Sequence, residues 1–143
     1  MPTATLQKFQ DFSEQLGLGV HNFGAHALKV CLTNTAPAST AAALADITQI
    51  SAGGGYSAGG YSLSGVTWSE TSGTAKLVIT DQVITASGAS IGPFRYVVMY
   101  NSSATSPLGA LIGYLDYGSA LTLADGESLT LDFDATAGVL TIS

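Results

Sequence analysis

Charge is what this sequence has least of. Asp, Glu, Lys and Arg make up 10% of its 143 residues, and only Lys8, Lys29, Lys76 and Arg95 are cationic. Ordinary soluble domains carry about 25% charged residues. Nucleic-acid binding needs many Lys and Arg contacts to phosphate. Four scattered cations in a chain of net charge −6 do not supply them, so no nucleic-acid partner is expected. An anionic membrane surface is disfavoured on the same ground. Cysteine is nearly absent: Cys31 stands alone. That excludes an intrachain disulfide and a cysteine-based zinc site. No apolar run approaches the roughly 20 residues that span a bilayer. The start, MPTATLQKFQDF, lacks the basic and then apolar pattern of a signal peptide. The expectation is a protein made in the cytoplasm and not exported by a standard signal.

With few charges, the surface must consist of Ser, Thr, Gly and small apolar groups. Such a surface repels neighbours weakly and is readily covered by another protein. The length suits one domain with its own core. Within it, the opening ATLQKFQDFSEQLG places Leu6, Phe9, Phe12 and Leu16 at spacings of three to four and ends at Gly17. This predicts a short amphipathic helix with a glycine stop. Residues 1–26 are expected to form this N-terminal helix or arm, and residues 27–143 a β domain. Phe9 and Phe12 are the candidate contacts of the arm with a neighbouring subunit. The competing expectation is that the helix folds back onto its own body.

From Ala27 the pattern is that of strands. ALKVCLT alternates, with Leu28, Val30 and Leu32 on one face. NTAPASTAAALADITQI reads as a loop with one helical turn near Leu44. KLVITDQVITAS and FRYVVMYN are apolar strand segments, and the second ends at Asn101. Near the C-terminus, Leu129, Leu131 and Phe133 alternate with Thr130, Asp132 and Asp134, one face inward and one to water. An Asp-Gly turn precedes them in ADGES. Short strands with turn signals between them predict an all-β fold, a jelly-roll-like β-sandwich with a short N-terminal helix.

The stretch SAGGGYSAGGYSLSG, from Ser51 to Gly65, contains G-x-S-x-G around Ser57. A nucleophile elbow needs a strand leading in, a helix leading out and a later histidine. Here glycines flank the pattern, and both histidines, His21 and His26, precede it. No catalytic residue is assigned, and the chain is not expected to be an enzyme. Tyr56 and Tyr61 are the anchors in this loop, through their rings and hydroxyls. They are candidate partner contacts if a neighbouring subunit orders the loop. His21 and His26 are five apart, a poor spacing for paired metal ligands. Asp125, Glu127, Asp132 and Asp134 read as a solvated acidic face. No metal or cofactor is expected. Trp68 reads as a core or interface anchor, and Asn101 begins an N-S-S glycosylation pattern.

Two stretches carry a resemblance. SIGPFRYVVMYNSSATSPLGALIGYLDYGSALTLADGESLTLDFDATAGVLTIS, Ser90 to Ser143, resembles a tailed-bacteriophage head decoration, or cement, protein. LKVCLTNTAPASTAAALADITQISAGGGYSAGG fits the same pattern, so the likeness covers about Leu28 to Ser143. The resemblance implies a jelly-roll-like virion protein on the capsid exterior. Its implied partners are the major capsid protein and further copies of itself, as a homodimer or homotrimer. It implies no catalytic residues. The alternative from the same stretches is another virion β module, in a tail, neck or fibre, that binds a partner or a receptor glycan.

Overall fold

The computed structural model describes residues 5–143. Residues 1–4 of the expected N-terminal segment lie outside the described residues. Among the described residues the fold is all-β apart from one short helix and a 3₁₀ turn, and every strand pairing is antiparallel. In chain order the elements are β1 (Gln7–Lys8), α1 (Gln10–Gly17), β2 (Leu28–Thr33), a 3₁₀ turn (Leu44–Asp46), β3 (Tyr61–Ser62), β4 (Thr67–Thr71), β5 (Thr74–Val78), β6 (Gln82–Thr85), β7 (Ile91–Asn101), β8 (Leu111–Leu123), β9 (Ser128–Leu131) and β10 (Leu140–Ile142). They form a five-stranded sheet in the order β1-β8-β7-β2-β3, a three-stranded sheet β10-β5-β4 and a two-stranded sheet β6-β9.

The five-stranded sheet is covered on both faces. Leu28, Val30 and Leu32 of β2 and Val97 and Met99 of β7 point to the main core. There they meet Leu77 of β5, Ile84 of β6 and Leu129 and Leu131 of β9. The alternate residues Cys31, Val98, Tyr100 and Leu111 point the other way, into a second cluster closed by Phe9, Ala41 and Ile47. This is why the run YVVMY, Tyr96 to Tyr100, carries no charged residue. A strand with both faces buried has no water-facing position, and every residue from Tyr96 to Asn101 is buried. Burial also pushes the Cys31 thiol up to about 12, so the lone cysteine is an inert packing residue.

The N-terminal segment belongs to this body. Instead of one helix from Leu6, the chain forms the edge strand β1, with Gln7 opposite Tyr114 and Lys8 opposite Gly113. The Phe9 N–H then donates to the Ile112 carbonyl at 3.2 Å. Backbone pairing with β8 wins over the helical spacing here, and α1 begins only at Gln10. The helix closes as the Leu18 and Gly19 amides bond the Glu14 and Leu16 carbonyls. Residues 5–26 are therefore packed onto the β domain rather than extended from it.

The turn at Asp125–Gly126 exists, yet it joins no hairpin. The Glu127 N–H closes on the Ala124 carbonyl at 2.8 Å. However, β8 pairs with β7 and β1, while β9 pairs with β6. The chain uses this turn to cross from one sheet to another. The expected inward face of Leu129, Leu131 and Phe133 is present, and Thr130, Asp132 and Asp134 are exposed. The acidic face does local work: Asp125 Oδ1 accepts the Gly88 N–H, and Asp134 Oδ1 accepts those of Thr136 and Ala137.

Candidate functional site

The four expected contact residues lie in or against the chain's own core. Phe9 is 0% exposed, with its ring centroid 5.4 Å from that of Tyr114. Phe12 is 2% exposed, with its ring tilted against His21 at 5.1 Å and stacked on Phe23 at 6.1 Å. These rings are spent on the fold and present nothing to a neighbour. The physical reason is area: a Phe ring buries roughly 150–250 Å², and the open faces of the five-stranded sheet supply that cover within the chain.

The glycine-rich loop is likewise ordered from inside. Tyr56 is 2% exposed and points into the main core. Its hydroxyl donates to Gln49 Oε1 at 2.7 Å and accepts the Leu32 N–H at 3.1 Å. Gln49 Oε1 also accepts the Gly59 N–H at 2.9 Å, and the Tyr100 hydroxyl bonds the Gly59 carbonyl. At Gly60 the backbone has φ +77° and runs so close to β2 that a Cβ would overlap the Val30 carbonyl oxygen. The glycines permit this close approach, and Tyr56 pins it. Tyr61 is half-buried with its ring 5.8 Å from that of Tyr56. Its hydroxyl is buried without a hydrogen-bond partner among the described residues. No neighbouring subunit is required to order this loop.

Ser57 is exposed in a turn, with its carbonyl accepting the Gly60 N–H. The short strand β3, not a helix, follows the loop. The hydrogen bonds of both histidines lie elsewhere, on a buried asparagine that sequence reasoning did not single out for this role. Asn101 ends β7 and is 0% exposed. Its Nδ2 lies 2.9 Å from His26 Nδ1, 3.2 Å from His21 Nδ1 and 3.4 Å from the Val20 carbonyl. Backbone donors orient this cluster. The Ser103 N–H donates to Asn101 Oδ1 at 3.0 Å, which fixes the amide. The Asn22 N–H donates to His26 Nδ1 at 3.3 Å, so that nitrogen is an acceptor. Asn101 then donates to His21 Nδ1 as well, and both rings carry their proton on Nε2. The His21 Nε2–H is buried and has no partner among the described residues.

This cluster ties the segment after α1 to the end of β7. It is a clasp, and a neutral His21 imidazole is built into it. Burial holds His21 down to about 4, His26 adds in the same direction, and Asp11 opposes both. Burial of the Asn101 amide also takes the acceptor nitrogen of the N-S-S pattern out of reach, although Ser102 and Ser103 are exposed. No group of three or more metal-ligating side chains gathers among the described residues. The only sequence signals for the clasp are a polar residue closing an apolar strand and two histidines in a glycine-punctuated connector.

Beside the clasp lies an open cleft of about 270 Å³ lined by Gly19, Val20, His26 and residues 103–106. Leu18 adjoins one wall at 68% exposure, and Leu108 follows the other at 72%. Three of the four cations are engaged within the chain. Arg95 grips Asp116 through both carboxylate oxygens, at 2.8 and 3.0 Å. Lys76 donates to the Thr136 carbonyl and Lys8 to Ser13 Oγ. No helix among the described residues is long and apolar enough to cross a membrane.

The structure thus defines an antiparallel all-β protein with histidine–asparagine bonding at one end. Compared with known families, with curated proteins and with solved structures, the chain matches none of them.

Proposed function

We propose that this chain is a structural virion protein: a head decoration protein of a tailed bacteriophage that binds the major capsid protein from outside as a homo-oligomer and stabilises the shell. In this reading the sheets are the layers of a jelly-roll-like sandwich. One observation carries the proposal: the aromatic side chains lie in the core or pack against it, and the surface left over is sparsely charged and rich in Ser, Thr and Gly. Docking such a surface desolvates few charges, so its cost is low. The exposed Leu18 and Leu108 beside the cleft supply apolar contacts at one end. A modest contact repeated over a shell adds through avidity.

A stained gel of purified particles tests the proposal by stoichiometry. A decoration protein is expected at a copy number comparable to that of the major capsid protein. Copies two orders of magnitude fewer than the capsid protein would instead favour a tail, neck or fibre module, and absence from the particle would end the virion reading.

A further inference from the structure

The five-stranded sheet ends in β1 and β3, each only two residues long. The three-stranded sheet ends differently. Its outer strand β4 runs five residues, Thr67–Thr71, in an uninterrupted ladder against β5 from Thr67–Val78 to Thr71–Thr74. Exposed edges of this kind are normally blunted by lysine, proline or a bulge. TWSET has none of these. Its one charge, Glu70, is turned back onto the Gly73 N–H.

The hairpin turn shows which backbone groups are free. Ser72 and Gly73 have φ of 52° and 87°, the two positive values of a two-residue I′-type turn. Such a turn makes Thr71 and Thr74 the first hydrogen-bonded pair. Bonded and non-bonded pairs then alternate along an antiparallel ladder. Ser69 and Thr67 therefore bond inward to β5, while Trp68 and Glu70 direct their N–H and C=O groups off the sheet. Neither residue has another backbone partner among the described residues. Trp68 itself is held in place by Phe23, with ring centroids 5.2 Å apart.

We propose that β4 is a self-pairing edge: it binds β4 of a second copy antiparallel, about a two-fold axis through Ser69. In this register each Trp68 faces Glu70 of the partner subunit, and each such pair exchanges both hydrogen bonds. Every outward group of the edge is then satisfied. No like charges face each other, and Thr67 lies across from Thr71 of the partner subunit, a favourable cross-strand pair. Ser69 meets its own copy on the axis at a non-hydrogen-bonded position, where Cα atoms lie about 4.5 Å apart. That spacing is within reach of a disulfide, about 4.4–6.8 Å. The two three-stranded sheets become one continuous sheet. This gives the homo-oligomer of the proposed function a defined surface, and it is tested on purified protein alone, so its failure leaves the particle assignment untouched.

Cys31 is buried, so an introduced surface thiol is the only accessible one. Oxidised Ser69→Cys protein is expected to run as a covalent dimer on a non-reducing gel. Thr67→Cys alone is expected to form no cross-link and to run as a single chain on the same gel, whereas an equimolar mixture of Thr67→Cys and Thr71→Cys should cross-link. Sedimentation of the unmodified chain should show a dimer. Ser69→Lys should weaken it at least tenfold by setting like charges opposite each other, and mixing in Ser69→Asp should restore it. A monomer at all concentrations, a dimer indifferent to Ser69→Lys, or Ser69→Cys cross-linking no faster than Thr67→Cys would overturn the proposal.

Discussion

Replacing Phe9 and Phe12 together by alanine is expected to abolish the folded state, not merely to detach an arm. Both rings are buried, and they lie on opposite faces of the five-stranded sheet, Phe9 in the cluster with Cys31 and Val98 and Phe12 in the main core. Truncating a buried Phe costs about 3–5 kcal/mol through lost transfer energy and the cavity left behind. Sites without shared partners add nearly independently. The pair therefore costs about 6–10 kcal/mol, against a total stability of about 5–15 kcal/mol for a domain of ordinary stability. Each single variant should fold with a lowered urea midpoint. The double variant should lose its near-ultraviolet circular dichroism and its cooperative transition at 25 °C. If it kept a near-native midpoint and lost only binding to particles, the two rings would belong to a docking arm after all.

The second large effect concerns acid. The unfolded chain takes up a proton on His21 near the ordinary 6.5, whereas the folded chain resists it down to about 4. The folded state thus binds fewer protons between these values. Stability present above pH 6.5 is lost as the pH falls towards 4, by up to about 3 kcal/mol. The geometry gives the cause. A protonated His21 would itself donate from Nδ1 and needs an acceptor there, where Asn101 presents a donor, and its charge would lie between Phe12 and Phe23. His26 and Asp11 are the other titratable groups acting on it, with opposite signs. Urea midpoints measured from pH 7.5 to 4 should fall steeply for the unmodified protein. His21→Phe, which keeps a ring between Phe12 and Phe23, should flatten that fall. Superimposable profiles would remove His21 from the account. Asp46, Asp116 and Asp134 are held below the usual carboxylate range by hydrogen bonds from Ala42, from Arg95 and from Ala137, and their contributions are lost only as the pH falls further.

These effects bear on what could be read in advance. The inward face of Leu129, Leu131 and Phe133 was legible because alternation is a property of one strand. So was β7 as a strand, and its uncharged run YVVMY fits cover on both faces. The start of α1 was not legible. Leu6 and Phe9 have helical spacing, but pairing of Gln7 and Lys8 with β8 depends on residues more than 100 positions away. The Asp-Gly turn was visible, yet its neighbours pair with β6 and β7, which no local pattern encodes. The destiny of Tyr56 was equally hidden, because its partners Gln49 and Leu32 come from outside the loop. The clasp joins His21 and Asn101 across 80 residues. Each of these features is a tertiary meeting of residues whose local sequence is unremarkable in composition.

The capsid-decoration role proposed above is the reading on which the rest depends. Electron cryomicroscopy of intact particles, with and without the gene for this chain, tests it most directly. The account expects density of this chain repeated over the outer face of the head, present in the first sample and missing in the second. Heads identical in the two samples, or density confined to the tail, would contradict it.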